Sequence, residues 1–190
     1  MNVMLVTLLL FQTTATILEN DYLATHRNTA PCALAESQCG DRVIVALDTI
    51  RFEGSEMERG VVRIFNANES YSRPQGGDFV EVALKFERPA VRTDTEAIVP
   101  EHYNVTLYEG ERFRVIEGRL WPGDIRNRHT HNQRLVIYLN ATRLRQLSEG
   151  EPERFIDFIA DNIGFSEPTI HALENIGNEL VRNIVIELKP

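Results

Sequence analysis

Short runs of apolar and β-branched residues, separated by turn-forming clusters, recur along most of the chain. Residues 79–85 show the pattern most plainly: Val80, Val82 and Leu84 alternate with Glu81, Ala83 and Lys85. A period of two sends alternate side chains to opposite faces, as a half-buried strand requires. Residues 42–47 and 60–65 are rich in Val and Ile and predict two more strands. Further on, 105–108, 113–120, 134–139 and 183–188 repeat the pattern. Turn signals stand between the early runs, at Cys39-Gly40-Asp41, Glu53-Gly54-Ser55 and Arg73-Pro74-Gln75-Gly76-Gly77-Asp78. One stretch, 151–158, reads instead as a helical turn, with Pro152 at an early helical position. Short strands at near-regular spacing predict an all-β sandwich or barrel.

The pattern breaks at 89–103, where Pro89, Pro100 and several charges predict a linker. This divides the chain into a β domain over 16–88 and a second over 104–190. The halves look alike. Leu18-Glu19-Asn20-Asp21-Tyr22-Leu23-Ala24 and Tyr108-Glu109-Gly110-Glu111-Arg112-Phe113 are both acidic turns entering a strand. Each half also ends on an acidic residue between apolar ones, Val80-Glu81-Val82 and Ile186-Glu187-Leu188. A weak internal repeat of about 90 residues is expected from this layout. The competing reading is that any two strand-rich segments share such features.

Composition narrows the class. The 190 residues are 43% hydrophobic and 25% charged, enough to build a core in one larger domain or two small ones. The net charge of −8 argues against a nucleic-acid partner, which calls for a basic face. Residues 1–15 carry an apolar run from Val3 to Phe11 followed by small polar residues ending at Ala15, like a secretory signal, although no Lys or Arg precedes the run. The run is too short for a membrane span, which takes about 20 apolar residues. Export, to the periplasm for instance, is the expectation, and the cytoplasm is the alternative. The two cysteines, Cys32 and Cys39, fit neither a zinc ribbon nor a redox motif. They would form a disulfide in an oxidising compartment and stay as free thiols otherwise.

The candidate chemistry lies in 121–131, Trp121-Pro122-Gly123-Asp124-Ile125-Arg126-Asn127-Arg128-His129-Thr130-His131. Residues two apart on a strand share a face, so His129 and His131 can offer two imidazoles to one metal ion. A later stretch holds Gly164, Pro168, His171 and Asn175. Gly123 followed by five residues and His-x-His resembles the first motif of the cupin superfamily, and Gly164, Pro168, His171 and Asn175 resemble most of the second. The likeness spans about 80 residues in the right order. It implies a double-stranded β-helix barrel, in two tandem copies of which the first is degenerate because it lacks the His-x-His pair. It also implies that His129, His131 and His171 share a divalent transition metal: Zn, Fe, Ni or Cu.

The sequence departs from the motif in two places. Leu135 and Val136 stand where cupins carry a Glu, and the Gly expected between Pro168 and His171 is absent. Three readings of function follow. The first is a metal-dependent protein acting on or binding a small molecule. The second is a non-catalytic binder of a small ligand without metal. The third is a dimerisation module, since cupin barrels commonly pair as homodimers. Arg126 and Arg128 flank the mouth of the expected site, and either would serve an acidic ligand if not simply solvated.

Overall fold

The computed structural model describes residues 16–33, 39–91 and 103–190. The signal-like segment 1–15, most of the expected linker, and His102 lie outside these residues. The described residues form strands and connections, with no α-helix among them. In the first half the strands are β1 (Thr16–Glu19), β2 (Leu23–Arg27), β3 (Arg42–Ala46), β4 (Ile50–Phe52), β5 (Ser55–Met57), β6 (Val62–Phe65) and β7 (Phe79–Leu84). The second half holds β8 (Asn104–Glu109), β9 (Phe113–Leu120), β10 (Ile125–His131), β11 (Arg134–Tyr138) and β12 (Thr142–Ser148). It continues with β13 (Arg154–Phe158), β14 (Ile163–Ser166), β15 (Thr169–Asn175) and β16 (Val181–Leu188).

Two sheets build the second half. One is five-stranded, in the order β14-β11-β16-β9-β8, and the other four-stranded, β10-β15-β12-β13. Side chains from both meet in an interior that includes Leu120, Leu144 and Val181. Inner residues of β11 and β16 alternate strictly. Val136 and Val185 face this interior, whereas Leu135, Ile137, Ile184 and Ile186 face the other way.

That outer face is covered by the first half. Its five-stranded sheet, β1-β2-β7-β3-β6, contributes Leu23, Val43, Val45, Val80, Val82 and Leu84 to one continuous core with Phe113, Val115, Leu135, Ile137, Ile184 and Ile186. Strands buried on both faces read as near-continuous apolar runs, as residues 43–46 of β3 and 184–186 of β16 do. Polar ties border the contact. Arg59 bonds to the Leu139 carbonyl at 2.8 Å and to Asp161 at 2.5 Å, and Arg27 reaches Asp161 at 3.2 Å.

The first sheet runs first strand, second strand, last strand, then an early and a late inner strand. The second half's large sheet, read from β8 as β8-β9-β16-β11-β14, runs the same way. The β4–β5 hairpin lies over the remaining face of the first sheet. There Phe52, Phe65 and Tyr71 stack together with Ile44, Ile50, Met57 and Phe79. Tyr71 donates its hydroxyl to the buried Glu81 carboxylate. Cys32 and Cys39 are joined by a disulfide, Cα atoms 5.9 Å apart, and the Cys32 amide donates to Glu81 at 3.3 Å.

One sequence expectation changes. Residues 151–158 hold no helical turn: 154–158 form β13, paired in register with β12, with Leu144 opposite Ile156. Cross-strand pairing of the apolar positions overrides the local signal, and Pro152 stands ahead of the strand, where it removes no ladder bond. The His-x-His pair and the run 134–138 are separate strands in different sheets, broken at Asn132–Gln133. The chain turns a corner there.

Candidate metal centre

β10 and β15 run antiparallel, and His129 sits directly opposite His171. The pairing is irregular between Arg126 and His129, where β10 carries an extra residue. Such a bulge re-aims side chains. Here Arg126, His129 and His131 are all buried, while Asn127 and Arg128 are exposed. The bulge also lets the Asn127 carbonyl reach back to His129 Nδ1 at 2.7 Å.

All three predicted histidines come together. His129 Nε2 lies 3.0 Å from His131 Nε2 and 3.2 Å from His171 Nε2, and the possible ligand atoms fall within 4.8 Å of one another. All three side chains are buried. Burial pushes each imidazole toward its neutral form, His129 down to about 4 and His171 down to about 2, with the neighbouring imidazoles adding to the effect. For His131 burial outweighs the opposing pull of Glu187, so it too is held neutral.

The hydrogen bonds then fix the tautomers. The Asn127 carbonyl can only accept, so His129 carries its proton on Nδ1. Glu187 Oε2 accepts from His131 Nδ1 at 2.8 Å, so His131 does the same. Both Nε2 atoms therefore present lone pairs, and at 3.0 Å these cannot hydrogen-bond to each other. A divalent cation bound by both resolves the clash. Tetrahedral bonds of about 2.0–2.1 Å to zinc set neighbouring nitrogens roughly 3.3 Å apart, close to the spacing found. The donor set thus fits a metal held by His129, His131 and His171.

Sequence reasoning missed Glu187. Its carboxylate is buried, bonded to His131 and to Arg114 at 2.9 Å. Burial would raise its pKa, but the hydrogen bond from His131 and the charge of Arg114 hold it below the ordinary value, so it stays ionised. A carboxylate behind a ligating imidazole orients the ring and raises its basicity. The available signal was an acidic residue on the inward phase of an otherwise apolar strand. Val136, at one of the two positions where a ligating Glu was looked for, lines the interior and offers no oxygen.

Beside the histidines is a cavity of about 250 Å³, lined among others by His131, His171, Arg126, Arg134 and Tyr138. Burial pulls Arg126 down to about 10 and pushes the Tyr138 phenol up to about 12. The two arginines noted in the sequence part company. Arg126 turns into the cavity, while Arg128 is exposed and paired with Glu149 at 2.5 Å. Asn175 is structural: its amide donates to the carbonyls of Leu120 and Glu179, both at 2.8 Å, and its oxygen accepts from Gly177. His26 lies on β2, in the first sheet.

No protein-family model matches the chain, and no curated protein matches it. Solved structures do. A Cupin 2 conserved barrel domain protein from Leptotrichia buccalis superposes with a TM-score of 0.54 at 16% identity, over 93% of this chain and 88% of that one. AerE from Microcystis aeruginosa gives 0.52 at 14% identity, over 93% and 97%. A cupin domain from Bordetella pertussis Tohama I covers 52% of this chain and all of its own length at 18% identity, with a TM-score of 0.44. The fold is that of the cupins: an all-β double-stranded β-helix barrel with three buried histidines gathered at its interior. Among the described residues, no helix is long and apolar enough to cross a membrane.

Proposed function

We propose that this protein is a metal-binding cupin that takes a small molecule into its C-terminal barrel, with His129, His131 and His171 holding a divalent transition ion. The observation that carries the reading is the pair of Nδ1-protonated imidazoles whose Nε2 lone pairs face each other at 3.0 Å. The ion would supply a Lewis acid able to polarise an oxygen of the bound molecule. The chain's own groups do the rest. Glu187 keeps His131 in the ligating tautomer, and the Asn127 carbonyl does the same for His129. Three neutral ligands with no carboxylate leave the full ionic charge on the site, which favours zinc, nickel or copper over iron.

The first half is a second, reduced cupin unit. Its sheet repeats the strand order of the C-terminal half's large sheet, and the hairpin β4–β5 falls between β3 and β6 in the chain as β12–β13 fall between β11 and β14. The aromatic cluster of Phe52, Phe65 and Tyr71 fills the space that a ligand would need. The tandem therefore carries one working interior and one plugged one.

Metal analysis of untagged protein tests the centre. Near-stoichiometric transition metal is expected in the wild type and in His26→Ala, and very little in His129→Ala or His171→Ala. Glu187→Gln should retain the fold but lower zinc affinity about 10–100-fold in competition with a chelator. Wild-type protein that takes up no zinc, nickel or copper on reconstitution would exclude the reading.

A further inference from the structure

We infer that the cavity beside the histidines binds an organic carboxylate, recognised through Arg126. This rests on the barrel interior being the ligand site, as proposed above, but not on the metal. Three arginines, Arg126, Arg134 and Arg154, line the cavity, and no Asp or Glu does. A chain of net charge −8 has thus collected positive charge around one cavity. Arg126 is 6% exposed. Its Nη2 donates to two main-chain oxygens, those of Tyr103 at 3.1 Å and Arg119 at 3.2 Å, and its Nε is buried with no partner. Its guanidinium lies 5.8 Å from the Tyr103 ring centre. Among the described residues no carboxylate pairs with it. A buried cation left without a counter-ion is costly, and a charge-assisted hydrogen bond from the guanidinium to a carboxylate would supply one.

The remaining walls select the body of the molecule. Ile156, Phe158 and Val185 give apolar contact, while Gln146, Asn162 and Ser166 add neutral polar groups. The cavity of about 250 Å³ equals roughly eight water molecules of bulk volume, so the ligand is a compact acid. Arg154, largely exposed at the rim, would draw such an acid inward.

Isothermal titration of the full chain with benzoate, phenylacetate and 3-phenylpropanoate, each beside its neutral amide and beside inorganic phosphate, tests this. Both metal-free and zinc-loaded protein are titrated. At least one acid should bind about tenfold or more tightly than its amide. Arg126→Gln should abolish that preference, and Arg126→Lys should keep part of it, because lysine keeps the charge but not the guanidinium's fixed donor directions. The acid–amide contrast in the wild type stands even if an Arg126 variant fails to fold. Acids and amides binding alike, no acid binding to the wild type, or phosphate binding in preference to every acid overturns the inference. Zinc uptake without acid selectivity removes this inference alone. Acid selectivity without zinc uptake removes only the metal reading.

Discussion

Glu117 shows how one buried acid is kept charged. Its two oxygens meet Arg182 Nε at 2.7 Å and Arg119 at 2.6 Å. Burial alone would raise its pKa, but the hydrogen bonds and charges of the two arginines outweigh this and hold it below the ordinary carboxylate value. A carboxylate with a folded-state pKa below its unfolded value, about 4.3, stabilises the fold above that pH. The contribution fades as pH falls through the lower folded value. Denaturant unfolding of wild type and Glu117→Gln should therefore show a stability gap at pH 7 that narrows from about pH 4.5 downward. A gap that stays constant down to pH 3 would show that Glu117 acts by packing and not by charge. At this scale the sequence was partly legible. His129, His131 and His171 were readable because a two-residue spacing and a motif mark them. Arg126 and Arg128 were both marked there, but which of them turns inward was not readable, because counting in twos from His129 sends Asn127 and Ile125 inward. The bulge reverses that phase, and no residue type announces a bulge in Arg126-Asn127-Arg128.

Among the elements, β16 is the hinge of the architecture. Asn183, Val185 and Glu187 face the barrel interior, and Ile184, Ile186 and Leu188 pack against the first sheet. Ile186 is fully buried in the core shared by the two halves. Ile186→Ala should cost about 2–5 kcal/mol by urea denaturation, and Val82→Ala, in the same core on the other sheet, a smaller but measurable amount. A loss under about 1 kcal/mol for Ile186→Ala would mean that the sheets separate easily. Element detection followed burial. The runs buried on both faces, such as 42–46 and 184–188, were evident in the sequence. Strands such as β12 and β13, with Arg and Asp among their apolar residues, were not, since half of each faces water. Their hairpin is held in place through the pairing of β12 with β15, about thirty residues further along the chain, which local pattern cannot supply.

The whole molecule joins a chemically plain half to a half with a site, through one continuous core. None of the three candidate ligands, His129, His131 and His171, lies in the first sheet, and yet that sheet shares its buried surface with β11 and β16, the strands that position Val136 and Glu187. A core so shared makes the two halves melt together. Ligand binding to the native state alone then protects every residue that opens only by global unfolding, by about 2.7 kcal/mol at a free concentration one hundred times Kd. Zinc loading should accordingly slow deuterium uptake at the amides of Val43, Val45, Val80 and Val82, far from the ion in the chain and on the opposite sheet. Slowing confined to β10, β15 and β16 would show instead that the halves open independently. The common core thus makes the plain half a reporter of occupancy in the other, read through solvent exchange of its backbone.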